Sequence, residues 1–310
     1  MDLSVVIPLY NEEECIRLLY ASVKEVCDQL DLHYEIVFID DGSTDATFDL
    51  LSELHHGDPK VKIIKFRKNY GQTAAMAAGF AYARGAIIVS LDGDLQNDPA
   101  EIPTLLAKLE EGYDVVCGWR KNRQDRFWTR RLPSVVANWL IGRVTGVRVH
   151  DNGCSLKAYR ASVIKSIVLY GEMHRFIPAM ARLTGARIAE IGVNHHPRRF
   201  GKSKYGIGRT WRVVLDIITV KMITSFASRP AHWFGFLSFP CMASGLSALF
   251  VASGVYLGRL IEEWMVMSTV ALLFLILGIH LLAMGIIAEL SVKTGDYRPK
   301  KTLHSSVTVL

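Results

Sequence analysis

Ile87-Ile-Val-Ser-Leu-Asp92-Gly-Asp94 is a short apolar run that ends abruptly in two carboxylates one residue apart. An apolar run of this length bounded by a Gly-containing turn reads as a buried strand, which places Asp92 and Asp94 just beyond a strand's carboxyl end. The same grammar recurs on either side. Leu3–Pro8, Tyr34–Ile39, Val61–Phe66 and Val115–Cys117 are further strand-like runs separated by amphipathic helical stretches. Strand–helix alternation predicts an α/β fold, a Rossmann-like and mainly parallel sheet with helices on both faces. Ligands of such sheets sit beyond the carboxyl ends of the strands, where Tyr10-Asn11-Glu12, Asp40-Asp-Gly-Ser43 and Asp92-Gly-Asp94 all fall. Neither GxGxxG nor GxxxxGK[ST] occurs, so the usual dinucleotide turn and the P-loop are excluded.

The chain of 310 residues is 50% hydrophobic and 21% charged, with a mean hydropathy of +0.21, which excludes a disordered chain. Its apolar excess is concentrated in Trp233–Leu257 and Trp264–Ala288, neither of which holds an Asp, Glu, Lys or Arg. Each exceeds the roughly 20 residues that cross a bilayer core, and Gly258–Glu263 suffices only to turn a helical hairpin. Lys and Arg concentrate before the first run and after the second, at Lys293, Arg298, Lys300 and Lys301. This bias predicts an integral membrane protein of two spans, with the sheet-bearing domain and both termini cytoplasmic. Trp211–Phe226 carries a polar stripe of Arg212, Asp216 and Thr219; it reads as an amphipathic helix in the membrane interface, favoured by its adjacency to the first run over a buried helix of the domain core. The expected organisation is a sheet-bearing domain over 1–210, an interfacial helix over 211–228, the hairpin over 229–292 and a tail over 293–310. Leu303–Leu310 carries no pattern of its own. The five cysteines, Cys15, Cys27, Cys117, Cys154 and Cys241, lack disulfide or metal spacing and read as reduced thiols. A net charge of +6 suits nucleic acid, an anionic membrane surface or phosphorylated substrates; the spans favour the last two.

Asp92-Gly-Asp94 suits a hard cation, because Mg²⁺ or Mn²⁺ takes few protein carboxylates and fills its shell with water and substrate phosphate oxygens. A turn closed by Asp and Gly is the plain structural alternative. Asp40 ends a second strand, where an acid can accept hydrogen bonds from a base or ribose, and Ser43 or Thr44 can cap the helix that follows. Residues 119–210 are more basic and less regular, and are read as the acceptor half of the same domain.

Val6-Ile-Pro-Leu-Tyr-Asn-Glu12, Ile39-Asp-Asp-Gly-Ser-Thr-Asp45, Asp92-Gly-Asp94 with Gln96, and Arg198-Arg-Phe-Gly-Lys-Ser-Lys204 stand in an order that resembles inverting GT-A glycosyltransferases of family 2. With the hairpin, they look like the polyprenyl-phosphate branch, which includes dolichyl-phosphate mannose synthases and bactoprenol glucosyltransferases. The resemblance implies transfer of a hexose from a nucleotide diphosphate sugar, of the UDP-glucose or GDP-mannose type, to a polyprenyl phosphate lipid. It assigns Pro8, Tyr10, Asn11, Glu12 and Asp40 to the nucleoside, and Asp92 and Asp94 to Mg²⁺ or Mn²⁺ and the diphosphate, with Asp94 the direct ligand and Gln96 near the sugar or phosphate. Arg120, Arg131 and Ser134 resemble the acceptor-phosphate cluster, and Arg198, Ser203 and Lys204 a loop over the donor diphosphate. Gly153-Cys-Ser-Leu156 stands where some glucosyltransferases have Gly-Asp-Phe-Arg; the nearest acid is Asp151, and the segment from Asp151 to Lys157 looks more like the mannose-synthase style. Asp92, Asp94, Gln96 and Asp151 are thus the candidate catalytic residues. No Gln-x-x-Arg-Trp motif of processive polysaccharide synthases occurs, and a non-catalytic scaffold has no need of this residue set. His174 either shapes the sugar pocket or is a satisfied structural histidine, and His280 is a candidate hydrogen-bond partner between the two spans. The partners implied are the nucleotide sugar, the lipid phosphate and the membrane, without nucleic acid; a homo-oligomer is compatible with the sequence.

Overall fold

The computed structural model describes residues 1–121, 132–147, 149–169, 171–197, 200, 218–219, 221–222, 226, 229–257, 261–294 and 307–309. Eight strands form one sheet: β1 (Leu3–Leu9), β2 (Tyr34–Asp40), β3 (Val61–Phe66), β4 (Ile87–Ser90), β5 (Val115–Arg120), β6 (Lys157–Arg160), β7 (Ile188–Val193) and β8 (Val307–Val309). Their order is β7-β5-β6-β4-β1-β2-β3-β8. β1 pairs in parallel with β2 and β4, and β2 with β3, so the carboxyl ends of these strands share one rim.

Period-2 alternation divides the side chains of β1 between two cores. Leu3, Val5, Ile7 and Leu9 face one core, with Ile16, Leu19, Val23 and Cys27 of helix α1 (Ile16–Asp28). Leu51 of α2 (Thr47–Gly57) and Leu105 and Leu109 of α4 (Ile102–Glu110) complete that layer. Val6 faces the other core, with Met76 and Phe80 of α3 (Gln72–Tyr82) and Ile177 of α7 (Ile177–Leu183). Gly79 lets α3 approach closely, since a Cβ there would lie 2.4 Å from Val6 Cγ1. Two further helices, α5 (Leu132–Thr145) and α6 (Ala161–Ile164), precede and follow β6.

Three strands depart from the sequence reading. β6 lies antiparallel between β4 and β5, so the two are not neighbours, and β7 extends the sheet beyond β5 in parallel. β8 pairs antiparallel with β3, matching Ile64 with Val309 and Phe66 with Val307. The final residues, which carry no pattern alone, thus become a strand because β3 offers an unpaired edge.

Opposite the rim, the start of the sheet is tied by charge. Tyr34 donates to Asp28 Oδ1, which also takes Lys60 Nζ at 2.9 Å, and Asp58 Oδ2 accepts Lys24 Nζ and Tyr20 Oη, each at 2.7 Å. The Tyr34 hydroxyl, then Lys60, hold the Asp28 carboxyl down to about 2. A carboxyl depressed in the folded state stabilises above its ordinary value near 4, and that contribution disappears as pH falls toward 2. Asp28→Asn is therefore expected to flatten the pH dependence of the melting temperature between about pH 4 and 2. A wild-type slope in the variant would show that Asp28 takes no part.

The chain forms two compact units, 1–217 with 299–310, and 218–298. The second holds α8 (Pro230–Leu257) and α9 (Ile261–Thr294), which contain two stretches long and apolar enough to cross a membrane. Only 11% and 17% of their most apolar windows are buried within the protein, whereas the core helix of a soluble domain is mostly covered. The seam between them is closed by Ser238 Oγ donating to Gly278 O at 2.8 Å, and by Gly278, where a Cβ would meet Met242 Cγ at 2.5 Å. Glu289 Oε2 accepts Ala231 N at 3.1 Å and so satisfies an amide in the first turn of α8. His280, expected between the helices, instead faces outward; Ser238 makes the buried polar contact of the seam. Of the amphipathic stretch from Trp211, residues 211–217, 220 and 223–225 lie outside the described residues, and Ile218, Thr219, Lys221, Met222 and Phe226 are helical.

Candidate active site

The rim is built from loops that hold one another. After β1, Asn11 takes a positive φ of 50°, a conformation Asn tolerates because its short amide bonds locally. Its Oδ1 accepts Thr44 N at 2.8 Å, and its own N–H donates to Ser43 Oγ at 2.9 Å. Glu12 N donates to Thr47 Oγ1 at 3.0 Å. The loops after β1 and β2 are thereby one unit, with half-buried Pro8, Tyr10 and Glu12 on it.

Asp40 and Asp41, adjacent in sequence, do different things. Asp40 is fully buried; its Oδ1 accepts Ser43 N at 2.9 Å, while Oδ2 has no hydrogen-bond partner in the described structure. A buried carboxylate oxygen without a donor is costly, and its place at the rim suits a donor carried by a ligand. Asp41 takes Tyr70 N at 2.7 Å and Gly71 N at 2.8 Å, fixing the loop after β3. Burial raises its pKa, against those two amides. Gly42 has a φ of 69°, and a Cβ there would lie 2.4 Å from the backbone carbon of Lys68, so this loop packs directly on the β2 turn.

The Asp92-Gly-Asp94 turn follows β4. Gly93 lies against Leu9, where a Cβ would come within 2.1 Å of Cδ2; that contact accounts for glycine between the two acids. Asp92 Oδ1 accepts Gln72 Nε2 at 2.7 Å. Its carboxyl is raised to about 6 by burial and by the neighbouring Asp94 carboxylate, against the Ser155 hydroxyl, Arg120 and Lys157. Asp94 Oδ1 accepts Gln96 N at 3.2 Å, and Leu95 between them has a φ of 60°. A non-glycine residue in that region costs on the order of 1–3 kcal/mol. Flanking pairs hold it: His196 N donates to Gln96 O at 2.9 Å, and Asn97 bridges to His195.

Arg120, at the end of β5, makes a two-pronged ion pair with Asp151, Nε to Oδ2 at 2.6 Å and Nη2 to Oδ1 at 2.9 Å. Burial opposes the guanidinium's charge, but Asp151 outweighs it and holds Arg120 charged. Glu190 fixes the segment from behind, taking Asp151 N at 3.1 Å and His150 Nδ1 at 2.6 Å. Lys157, also buried, donates to the carbonyls of Asn152 and Cys154. Burial pushes the Cys154 thiol up to about 11, so it is neutral at physiological pH. His174 meets Thr73 Oγ1 through Nδ1 at 2.7 Å, beside the Gln72–Asp92 contact.

The structure thus brings Pro8, Tyr10, Asn11, Glu12, Asp40, Asp92, Asp94, Gln96, Arg120 and Asp151 to the carboxyl-end rim of one sheet. Arg131, Arg198, Ser203 and Lys204 lie outside the described residues, and Ser134 is placed only as a backbone position on α5. Gln72, Thr73 and Ser155 were not anticipated. The rim rule that drew attention to the ends of β1, β2 and β4 applies equally to β3, whose following loop leads to Gln72.

Fold and rim define a GT-A glycosyltransferase. The model of the glycosyl transferase family 2 domain matches residues 4–168. The chain is 42% identical over 306 residues to a dodecaprenyl-phosphate galacturonate synthase of Rhizobium johnstonii, covering 95% of this chain and 88% of the relative. It is 37% identical to an undecaprenyl-phosphate 4-deoxy-4-formamido-L-arabinose transferase of Edwardsiella ictaluri, covering 92% and 87%. Among solved structures, glucosyl-3-phosphoglycerate synthase from Mycobacterium tuberculosis with Mn²⁺ and UDP-glucose superposes with a TM-score of 0.56 at 21% identity, covering 74% of this chain and 82% of that one. The protein belongs to glycosyl transferase family 2.

Proposed function

We propose that this enzyme transfers one sugar from a nucleoside diphosphate sugar to the phosphate of a membrane polyprenol, at the cytoplasmic surface and with inversion at the anomeric carbon. The observation that carries the reading is likeness over 95% of the chain, hairpin included, to a relative whose name specifies a polyprenyl phosphate. The lone Asp40 oxygen receives a base or ribose donor. Asp92 and Asp94 hold Mg²⁺ or Mn²⁺; two neighbouring carboxylates, one with its pKa raised by burial and then by the other's charge, are a donor set that a cation relieves. When bound, the ion neutralises charge on the leaving diphosphate.

The nucleophile is a phosphate oxygen. A phosphate monoester has a second pKa near 6, so the acceptor is already charged and needs alignment rather than a general base. Asp151, with both oxygens on Arg120, orients that guanidinium toward the phosphates, together with Arg131 and Ser134, while Arg198, Ser203 and Lys204 close over the donor. The hairpin anchors the enzyme where the lipid resides, with both termini cytoplasmic.

The donor is read more broadly than UDP-glucose or GDP-mannose, because the two relatives are named for galacturonate and for 4-deoxy-4-formamido-L-arabinose. Membranes carrying the protein, incubated with radiolabelled UDP-glucose, GDP-mannose, UDP-galacturonate and UDP-4-deoxy-4-formamido-L-arabinose, are expected to pass label from one donor into organic extract. Absence of lipid-linked label from every donor, with undecaprenyl and dodecaprenyl phosphate supplied, would overturn the reading.

A further inference from the structure

The first turn of α3 is anchored on both sides of Gln72 before that residue makes any contact of its own. Asp41 takes Tyr70 N at 2.7 Å and Gly71 N at 2.8 Å, and Thr73, 3% exposed, is bonded to His174 at 2.7 Å. Between these anchors Gln72 Nε2 donates to Asp92 Oδ1 at 2.7 Å. The amide therefore does not wander toward the carboxylate; a fixed backbone delivers it.

Among the described residues, Arg120 and Lys157 act on Asp92 through charge but hydrogen-bond elsewhere. Arg120 is paired with Asp151, and Lys157 Nζ is bonded to two carbonyls. Asp92 forms no ion pair among the described residues, and the side-chain donors that reach it are neutral, the amide of Gln72 and the hydroxyl of Ser155. A neutral donor fixes a carboxylate's orientation without adding positive charge that would repel a divalent ion. A lysine in the same place would do the first and undo the second.

We infer that Gln72 is a positioning residue for the cation–diphosphate site, holding Asp92 in a metal-ready orientation through a neutral hydrogen bond. This rests on the reading of Asp92 and Asp94 as the cation site. The competing role is a plain cross-link between α3 and the turn after β4, which any donor of suitable length would satisfy.

The test is a Mn²⁺ titration of the full-length protein in detergent micelles with saturating UDP, and separately GDP, following free Mn²⁺ by electron paramagnetic resonance. Gln72→Leu should raise the apparent Kd for Mn²⁺ about tenfold, the loss of one charge-assisted hydrogen bond. Gln72→Lys should raise it further, to about a hundredfold, because it places a cation beside the site. Wild type that binds no Mn²⁺ with either nucleotide would remove the cation site itself. Wild-type binding matched within twofold by the lysine variant would leave the site standing and overturn the role of Gln72, even if the leucine variant had lost its fold.

Discussion

Asp94→Asn is expected to lower kcat/KM by at least about 10³-fold, equivalent to about 4 kcal/mol of transition-state stabilisation, with the sheet still folded. The substitution keeps the size of the side chain and its ability to accept Gln96 N, but removes the negative charge that would hold a divalent ion at the diphosphate. Burial is the larger cause of the high Asp92 carboxyl, and the variant relieves the second, the Asp94 charge, so the melting temperature should stay level or rise while activity collapses. Sugar transfer and thermal melting of the same preparation decide it. Full turnover by the variant, or by wild type in excess EDTA, would refute metal-assisted departure of the leaving group.

The Arg120–Asp151 pair should show the opposite pattern, a large effect on stability from either single change. Side-chain exposures are only 15% and 4%, and truncating one partner of a buried pair leaves an uncompensated charge at a cost of about 3–5 kcal/mol. Arg120→Ala and Asp151→Ala are each expected to lose that much in denaturant unfolding. The double replacement Arg120→Met with Asp151→Leu is expected to recover most of it, because well-packed apolar substitutes often equal a buried ion pair. Acceptor kinetics should not recover with it. If the guanidinium meets lipid phosphate, the double variant remains at least about tenfold impaired in acceptor kcat/KM, the usual worth of an Arg–phosphate contact. Recovery of both stability and turnover would reduce the pair to a brace.

The contrast between these two sites follows what a linear sequence displays. β1 to β5 announce themselves because apolar period and turn residues lie within a few positions, and the rim rule then collects Asn11, Asp40, Asp92 and Asp94 without knowledge of the fold. β6 is four residues with a cation at each end, Lys157 and Arg160; its burial depends on Lys157 finding two carbonyls, which no local pattern encodes. The sequence marks Asp151 only as the nearest acid of its segment; Arg120, 31 positions away, is brought to it by the β5–β6–β7 arrangement. Gln72 was silent for the same reason, its partner Asp92 lying across two strands. His280 shows the reverse error: a polar residue in an apolar helix suggests a partner inside the hairpin, yet Ser238 fills that role.

The short pairing of β8 with β3 has a consequence for the order in which the protein is made. Val307–Val309 follow the hairpin in the chain, yet they complete an edge of a sheet whose other strands are all translated before the hairpin. Strands on both sides of the hairpin can share one sheet only if any bilayer between them is crossed an even number of times, so a single insertion would leave β8 on the wrong side. The open edge of β3 would then remain a template for unwanted pairing. A sheet closed by strands from both sides of the hairpin is therefore compatible only with an even number of crossings between β7 and β8.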